Sequence, residues 1–192
     1  MKSLSQWLKE ESSAEHQKVE AKLDVFNRVR SLSDHKQLLQ SFYGLHLTYE
    51  KNIAIYREQI KSVLDWDISF KSSLLEKDLS YLGLTTNEIE NLPRCSEDSL
   101  ALYSLPNTVG TLYVMEGSAM GGQFIGKKLS ELFNIQTHEG LLFYFAHSQN
   151  LREYWRQFTK KLDDYGEKNL DKWPEILSAS KRTFRCFENW CT

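Results

Sequence analysis

The stretch MEGSAMGGQF, residues 115–124, decides how the centre of this chain folds. The residues before it, TLYVMEG, have the apolar character of a buried helix, and the residues after it, QFIGKKLSELF, have the periodicity of an amphipathic helix. Three glycines lie between these segments, at Gly117, Gly121 and Gly122. Each glycine inside a helix costs about 1 kcal/mol relative to alanine. Three glycines so close together therefore require a compensating gain in packing or function.

Three interpretations account for this glycine-rich stretch. Gly117 or Gly122 could end a helix in the left-handed conformation, so that the stretch is a loop. The small residues could instead allow two helices to pack closely, or allow a flat ligand to approach the helix backbone. The pattern alone leaves all three open. On a helix, one smooth arc would contain Gly117, Ser118, Gly121 and Gly122, extended by Gly126.

Helical periodicity extends over most of the remaining chain, with apolar residues recurring at spacings of three and four. Strand-like alternation is almost absent. We therefore predict an all-α protein, a single-domain helical bundle over residues 1–192. The apolar positions of the first segment are Leu4, Leu8, Val19, Leu23 and Phe26, and those of the second are Leu38, Phe42, Leu45, Tyr49, Ile53, Tyr56 and Ile60.

Capping residues and prolines predict where the helices begin and end. Ser33 or Asp34 is the expected N-cap of the second apolar segment, and Thr85 or Thr86 that of a short helix before Pro93. Pro174 suits the first turn of a final helix. The other predicted helices cover residues 68–82, 106–133 and 141–165.

Composition and charge exclude several classes of protein. The net charge of −2 over 192 residues does not predict a nucleic-acid or anionic-membrane partner. The N-terminus lacks the apolar core of a signal peptide, and no apolar run reaches the roughly 20 residues of a membrane span, so we expect a cytoplasmic protein. Cys95, Cys186 and Cys191 form no CxxC pair, which favours reduced thiols over a disulfide framework or a zinc site.

His16 is the histidine whose position suggests a ligand. It shares a predicted inward stripe with Val19 and Leu23, and Glu20 follows one turn later, where it can orient the imidazole. Lys9 lies on the same predicted face, about 10 Å along the helix axis. An imidazole and a nearby cation match a haem, which has an iron centre and two propionates at one edge. A structural role for an inward histidine remains the alternative.

The other four histidines have no pairing that predicts a metal site. We expect His35 and His138 to be solvated and His46 to be a core or boundary residue, and His147 has no evident partner.

Lys181 and Arg185 lie one turn apart in the last predicted helix. Basic residues are favoured near a helix C-terminus, so they could simply form a solvated surface. At this spacing they could also bind carboxylates, such as the propionates of haem.

Taken together, these segments resemble the heme oxygenase family over most of the chain. LKEESSAEHQKVE is similar to its proximal helix, FKSSLLEKDLSYLG to its third helix, and LYVMEGSAMGGQ to the distal helix, whose glycines lie over the haem. The EGSxxGG form is most similar to a bacterial branch that includes enzymes supplying bilin to phytochromes. The resemblance implies that His16 is the axial iron ligand and Glu20 its acidic neighbour. It further implies that Lys9, Lys181 and Arg185 bind propionates.

One position departs from the mammalian pattern. The resemblance places Ser118 where mammalian members have an aspartate that holds a proton-delivering water network. A serine can hold a water but organises proton delivery less strongly. The bacterial branch often lacks this aspartate.

The resemblance implies oxidative cleavage of haem to biliverdin, carbon monoxide and ferrous iron, with haem as both substrate and cofactor. The backbone from Gly117 to Gly122 would direct bound oxygen toward a meso carbon. Electrons would come from a ferredoxin, a flavodoxin or a reductase, because the sequence has no flavin or iron–sulfur motif. Two alternatives remain: a haem-binding or sequestering protein without turnover, and a helical interaction protein without a cofactor.

Overall fold

The structure, a computed structural model, describes residues 2–100, 102–147 and 150–192. Helices joined by short turns form the regular structure of this part of the chain, which confirms the predicted all-α class. The α-helices are α1 (Leu4–Glu11), α2 (Ser13–Leu23), α3 (Val25–Arg28), α4 (Leu32–Ile53), α5 (Arg57–Leu64), α6 (Ser72–Tyr81), α7 (Thr86–Glu90), α8 (Leu105–Phe133), α9 (Leu151–Lys168) and α10 (Trp173–Trp190).

The first apolar segment is divided between α1 and α2 at Ser12. The Ser12 hydroxyl is buried and donates a hydrogen bond to the Leu8 carbonyl at 2.6 Å, and the Ser12 backbone departs from helical geometry. Lys9 therefore lies in the last turn of α1, whereas His16 belongs to α2. The expectation that both side chains share one continuous helix is wrong, because α1 ends before Ser12 and α2 begins after it.

The N-terminus of α4 lies two residues before the position that we predicted. The Ser31 hydroxyl accepts a hydrogen bond from the Asp34 backbone N–H at 3.1 Å, so Ser31 is the N-cap instead of Ser33 or Asp34. The predicted apolar stripe is buried at Phe42 and Tyr49. It continues beyond α4 through a short 3-10 turn into α5.

The glycine-rich stretch lies within one continuous helix. α8 runs from Leu105 to Phe133, in agreement with the predicted helix over 106–133, so the loop interpretation is wrong. Its N-terminal half packs closely on α10 at Gly110, where an added Cβ would overlap the Ile176 carbonyl oxygen. The Ser180 hydroxyl donates to the Gly110 carbonyl at 3.0 Å. This contact fixes α10 against the helix that carries the glycines.

Side chains from distant parts of the chain hold the start of α6 and the start of the 3-10 turn that precedes α9. α6 begins at Ser72, within the predicted range 68–82, because the Glu50 carboxylate accepts the backbone N–H groups of Lys71 and Ser72 at 2.6 and 2.9 Å. Near α9, the Asp78 carboxylate accepts the backbone N–H groups of Leu142 and Phe143, both at 2.8 Å.

The predicted helix over 141–165 is therefore wrong at its N-terminal end. Residues Leu142–Phe145 form a 3-10 turn, and α9 begins only at Leu151. Thr85, one of the two predicted N-caps, caps α7 in a capping box with Glu88, and Pro174 lies in the first turn of α10 as predicted. None of the helices in the described part of the chain combines the length and apolar character needed to cross a lipid bilayer.

Candidate functional site

α2 and α8 both pack on α10, and α3, which follows α2, meets α8 at an aromatic contact. The rings of Phe26 in α3 and Phe124 in α8 lie edge to face, with centroids 5.6 Å apart. Phe124 follows Gly121 by three residues, so both lie on the same side of α8. The Gly121 side of α8 therefore faces the α2–α3 segment. We call the region between α2 and this side of α8 the α2–α8 region.

His16 is more exposed than its predicted position on the inward stripe indicates. Its side chain is 55% exposed, whereas Val19 in the next turn is buried. Its ring centroid lies 5.3 Å from that of Phe184 in α10. The prediction of a buried imidazole is wrong, because α2 covers its neighbours mainly through Val19. The exposed ring remains accessible to a ligand.

Glu20 lies beside His16, as the spacing predicted. Its Oε1 is 3.6 Å from His16 Nε2, which is longer than a hydrogen bond. Neither atom is thus committed to the other, and a small rotation of either side chain would bring them together or leave Nε2 available.

The glycines of α8 differ in what surrounds them. A Cβ added at Gly117 would lie 3.2 Å from the Trp155 ring, and one at Gly126 would overlap Tyr144 at 2.6 Å. These two glycines are explained by close packing. A Cβ at Gly122 would make an ordinary contact at 3.9 Å, and one at Gly121 would meet nothing within 4 Å. Packing in the described structure gives no reason for Gly121.

Large apolar side chains are exposed near Gly121. Met120, Phe124 and Phe26 have 39%, 56% and 49% of their surface accessible to solvent. Phe26 was predicted to be part of the apolar stripe of the first segment, and this prediction is wrong: the chain turns at Asp24, in the left-handed conformation, and α3 carries Phe26 toward α8. Adjacent exposed apolar side chains are typical of a surface that binds an apolar partner.

Ser118 uses its hydroxyl proton within its own helix. Its Oγ donates to the Met115 carbonyl at 2.7 Å, so the lone pairs of this oxygen remain as acceptors. A small cavity of about 20 Å³ lies beside Ser118 and Gly122, lined also by Lys71, Tyr144 and His147. This volume is sufficient for about one water molecule.

A buried polar network behind Ser118 was not predicted from the sequence. Glu116 is 2% exposed, and its carboxylate accepts hydrogen bonds from the Tyr154 hydroxyl at 2.7 Å and the Trp66 indole N–H at 3.3 Å. Lys71 Nζ lies 3.8 Å from Glu116 Oε2 and donates to the Met115 carbonyl at 3.5 Å. Burial and then the Glu116 charge raise the pKa of Tyr154. Lys71 and Ser118 thus share the Met115 carbonyl as an acceptor.

The predicted propionate-binding residues lie in different surroundings. Lys9 is exposed at the end of α1. Lys181 Nζ lies 3.8 Å from Glu15 Oε1, next to His16 in the chain, and Glu15 Oε2 is buried without a hydrogen-bond partner among the described residues. Arg185 is exposed and lines a separate groove. Lys181 is therefore adjacent to α2. Arg185 lines a groove together with the loop that precedes α8.

The remaining histidines differ partly from expectation. His35 is fully buried and pairs with the Gly140 carbonyl at 2.8 Å, so its predicted solvation is wrong. His138 is exposed and His46 is buried, as predicted. His147 stacks on Tyr154, with ring centroids 3.9 Å apart, and burial lowers its pKa to about 4.

Comparison with known proteins agrees with this architecture. The structure is similar to the heme oxygenase from Leptospira interrogans, with a TM-score of 0.82 at 18% identity, covering 99% of this chain and 98% of that one. A comparison with curated protein sequences gave no significant match. The family model described as Heme oxygenase matches residues 2–192. Because this match spans nearly the whole sequence, the chain belongs to the heme oxygenase family.

Proposed function

We propose that this chain, as a single domain over residues 1–192, cleaves haem oxidatively to biliverdin, carbon monoxide and ferrous iron. The observation that carries the proposal is the open space at Gly121. The backbone of α8 is bare there, beside exposed apolar side chains and on the side that faces the His16 segment. A flat apolar ring could approach this backbone directly, where a larger side chain would block it.

His16 would hold the substrate on the α2 side. Its imidazole is exposed and is supported by Phe184. A histidine that binds a metal usually has its second ring nitrogen oriented by a carboxylate or carbonyl, and Glu20, whose Oε1 lies 3.6 Å from His16 Nε2, is the neighbouring carboxylate that could orient one ring nitrogen while the other binds the iron. Haem supplies the iron that this imidazole would coordinate, and its ring is the substrate.

Lys9, Lys181 and Arg185 would bind the propionates and so set the in-plane rotation of the ring. Lys181 is the residue best placed for this role. Its Nζ lies 3.8 Å from Glu15 Oε1, so the ion pair is loose, and the other Glu15 oxygen, Oε2, has no hydrogen-bond partner among the described residues. A carboxylate of the substrate could therefore replace the weak Glu15 contact. The rotation of the ring decides which meso carbon is attacked.

Gly117, Ser118, Gly121 and Gly122 would form the catalytic surface on the α8 side. The Ser118 oxygen can accept a hydrogen bond, and the cavity beside it has room for about one water molecule. A water held there would reach both the Ser118 oxygen and the Lys71 side of the buried network. We infer that such a water delivers protons during turnover, in place of a side-chain carboxylate.

An external protein would supply the electrons, as a ferredoxin, a flavodoxin or a reductase that binds transiently through charged groups. A haem-binding or sequestering protein without turnover is the second candidate. One observation favours this second candidate. The Ser118 hydroxyl donates its only proton to the Met115 carbonyl, so Ser118 itself has no proton to donate to a bound ligand.

The decisive experiment is an aerobic titration with hemin followed by addition of a reductant. Loss of the haem absorption together with a new bilin band supports the enzyme, and identification of the bilin isomer gives the site of cleavage. A stable stoichiometric complex with unchanged spectra would support the sequestering protein. If hemin fails to bind stoichiometrically, both proposals are wrong.

A further inference from the structure

Two cysteines from distant parts of the chain lie in contact outside the α2–α8 region. Cys95, in the loop before α8, and Cys186, in α10, are 91 residues apart in sequence, yet their Sγ atoms are 3.3 Å apart. Both thiols are free, and both residues are buried. The Cys95 loop is held in place because the Thr48 hydroxyl donates to the Cys95 carbonyl at 2.9 Å. A movement of little more than 1 Å would bring the sulfur atoms to the separation of a disulfide, about 2.05 Å.

These thiols are reachable because they line an open pocket. The pocket has a volume of about 540 Å³, within the range of small-molecule sites. Its lining also contains Arg94, Arg182 and Arg185, with hydroxyl and amide groups from Ser96, Ser99 and Asn189. Guanidinium groups attract carboxylates and raise the local concentration of anions. A small anionic molecule is therefore the class of ligand that this pocket fits.

The two sulfur atoms are chemically unequal. The contact between the two thiols lowers the pKa of Cys95, whereas that contact and burial raise the pKa of Cys186. Since the thiolate is the nucleophile in thiol chemistry, we take Cys95, in the loop that lines the pocket, as the sulfur that attacks and Cys186, in α10, as the one that resolves.

We propose that Cys95 and Cys186 form a thiol–disulfide exchange site for small anionic disulfides that bind in the arginine-lined pocket. The Cys95 thiolate attacks one sulfur of the disulfide, forming a mixed disulfide and releasing one thiolate. Cys186 then gives its proton to that thiolate or to solvent, attacks the Cys95 sulfur and expels the second thiolate. Two electrons pass from the protein dithiol to the small disulfide, which leaves as two thiols. The product is a disulfide bond that joins Cys95, in the loop before α8, to Cys186 in α10.

Glutathione disulfide is a suitable probe, applied to the haem-free protein at neutral pH. We expect mass spectrometry to show the loss of two hydrogens and a peptide that links Cys95 to Cys186. Cys186→Ser should stop at a glutathionyl adduct on Cys95, and Cys95→Ser or Cys95→Ala should form no adduct. Cys191→Ser is the matched control, because Cys191 is also buried but lies outside the pocket lining, and it should still form the bond.

The role of the arginines has a separate test. Arg94→Gln should slow the reaction with glutathione disulfide by about threefold to tenfold, but leave the reaction with the neutral hydroxyethyl disulfide unchanged. Equal slowing with both reagents would overturn the claim that the arginines of the pocket bind the anionic groups of the disulfide. A wild-type protein that stays fully reduced in excess glutathione disulfide, or a Cys95→Ser variant that still forms a disulfide, would overturn the exchange site. Circular dichroism confirms that each variant is folded, and none of these outcomes depends on haem turnover.

Discussion

The Phe26 ring meets the Phe124 ring edge to face at 5.6 Å, although both side chains are about half exposed. This contact joins α3 to α8 one turn beyond Gly121, while α10 supports α2 and α8 from behind. The side of α8 without side chains is thereby turned toward the segment that carries His16. This arrangement leaves room for a flat substrate between the two segments.

Replacing His16 with alanine tests the proposed axial ligand. We expect the absorption signature of imidazole ligation to disappear and turnover to fall by at least about 100-fold, since even the outer-shell partners of metal ligands account for 10- to 100-fold effects. The fold should persist, because the side chain is 55% exposed. Hemin titration and circular dichroism measure these two results.

Free imidazole should restore the ligation signature of His16→Ala by occupying the vacated position. His138→Ala is the matched control, because His138 is exposed and distant in sequence. If the His16→Ala complex has the same spectrum as wild type, another residue binds the iron.

Gly121 and Gly126 should respond in opposite ways to alanine. Gly121→Ala should raise the free energy of unfolding by about 0.5–1 kcal/mol, because a helical glycine is replaced where nothing lies within 4 Å. Gly126→Ala should lower it by about 1–3 kcal/mol, because the new Cβ would overlap Tyr144. Urea unfolding of the haem-free proteins measures both changes.

A bulkier change at the same position tests function separately from stability. Gly121→Leu should keep the helix but weaken hemin binding, because the side chain would occupy the space proposed for the ring. Unchanged hemin affinity in a folded Gly121→Leu protein would contradict the proposed position of the substrate.

Much of the fold could be predicted because most helices bury a regular apolar stripe. α8 and α10 follow directly from this periodicity and from their N-terminal prolines. The 3-10 turn that replaces the beginning of the predicted helix could not be predicted, because it is held by Asp78, a side chain more than 60 residues away. Likewise, His35 is buried by its contact with Gly140, which the local pattern does not contain.

The candidate site was only partly predictable for a similar reason. The glycine motif and His16 are local signals, and they predict a site between α2 and α8. Glu116 gave no signal, because a glutamate in a helix is normally exposed. Its burial depends on Trp66 and Tyr154, which belong to other segments. Networks assembled from several segments appear only once the packing is known.

Removing one partner of the buried Lys71–Glu116 pair should lower stability more than removing both. Glu116→Gln would keep acceptors for Tyr154 and Trp66 but leave the Lys71 ammonium, 5% exposed, without its counter-ion. We expect the free energy of unfolding to fall by about 3 kcal/mol. Adding Lys71→Met should recover most of this loss, because the buried ammonium that lost its Glu116 partner is then removed as well. Urea unfolding of the single and double variants measures the coupling.

The exposed pair Lys160–Asp164 provides the control for this coupling. Both side chains are at least half exposed, so Asp164→Asn should change the free energy of unfolding by less than about 0.5 kcal/mol.

For the buried pair, a double variant at Lys71 and Glu116 whose loss of stability equals the sum of the losses in the two single variants would show that the two residues are not coupled.

His46 should make the protein less stable in mild acid. Burial, followed by the nearby Lys71 charge, lowers the pKa of this buried imidazole to about 3, while Glu50 Oε1 lies 4.0 Å from its Nδ1. In the unfolded chain a histidine titrates near its ordinary pKa of about 6.5. Between these values the unfolded state binds more protons than the folded state, so stability falls as the pH falls. The loss attributable to His46 should reach about 2 kcal/mol between pH 6.5 and pH 5.

Replacing His46 with leucine should remove this part of the pH dependence, because leucine binds no proton in either state. The slope of the unfolding free energy between pH 6.5 and pH 5 should therefore be smaller in His46→Leu than in wild type, even if the absolute stability changes. His147 and His35, whose pKa values burial also lowers, would still contribute a remaining slope. His138→Leu should keep the wild-type slope, because His138 is exposed. Equal slopes in wild type and His46→Leu would mean that the folded protein admits a proton at His46, and hence that water reaches this part of the core.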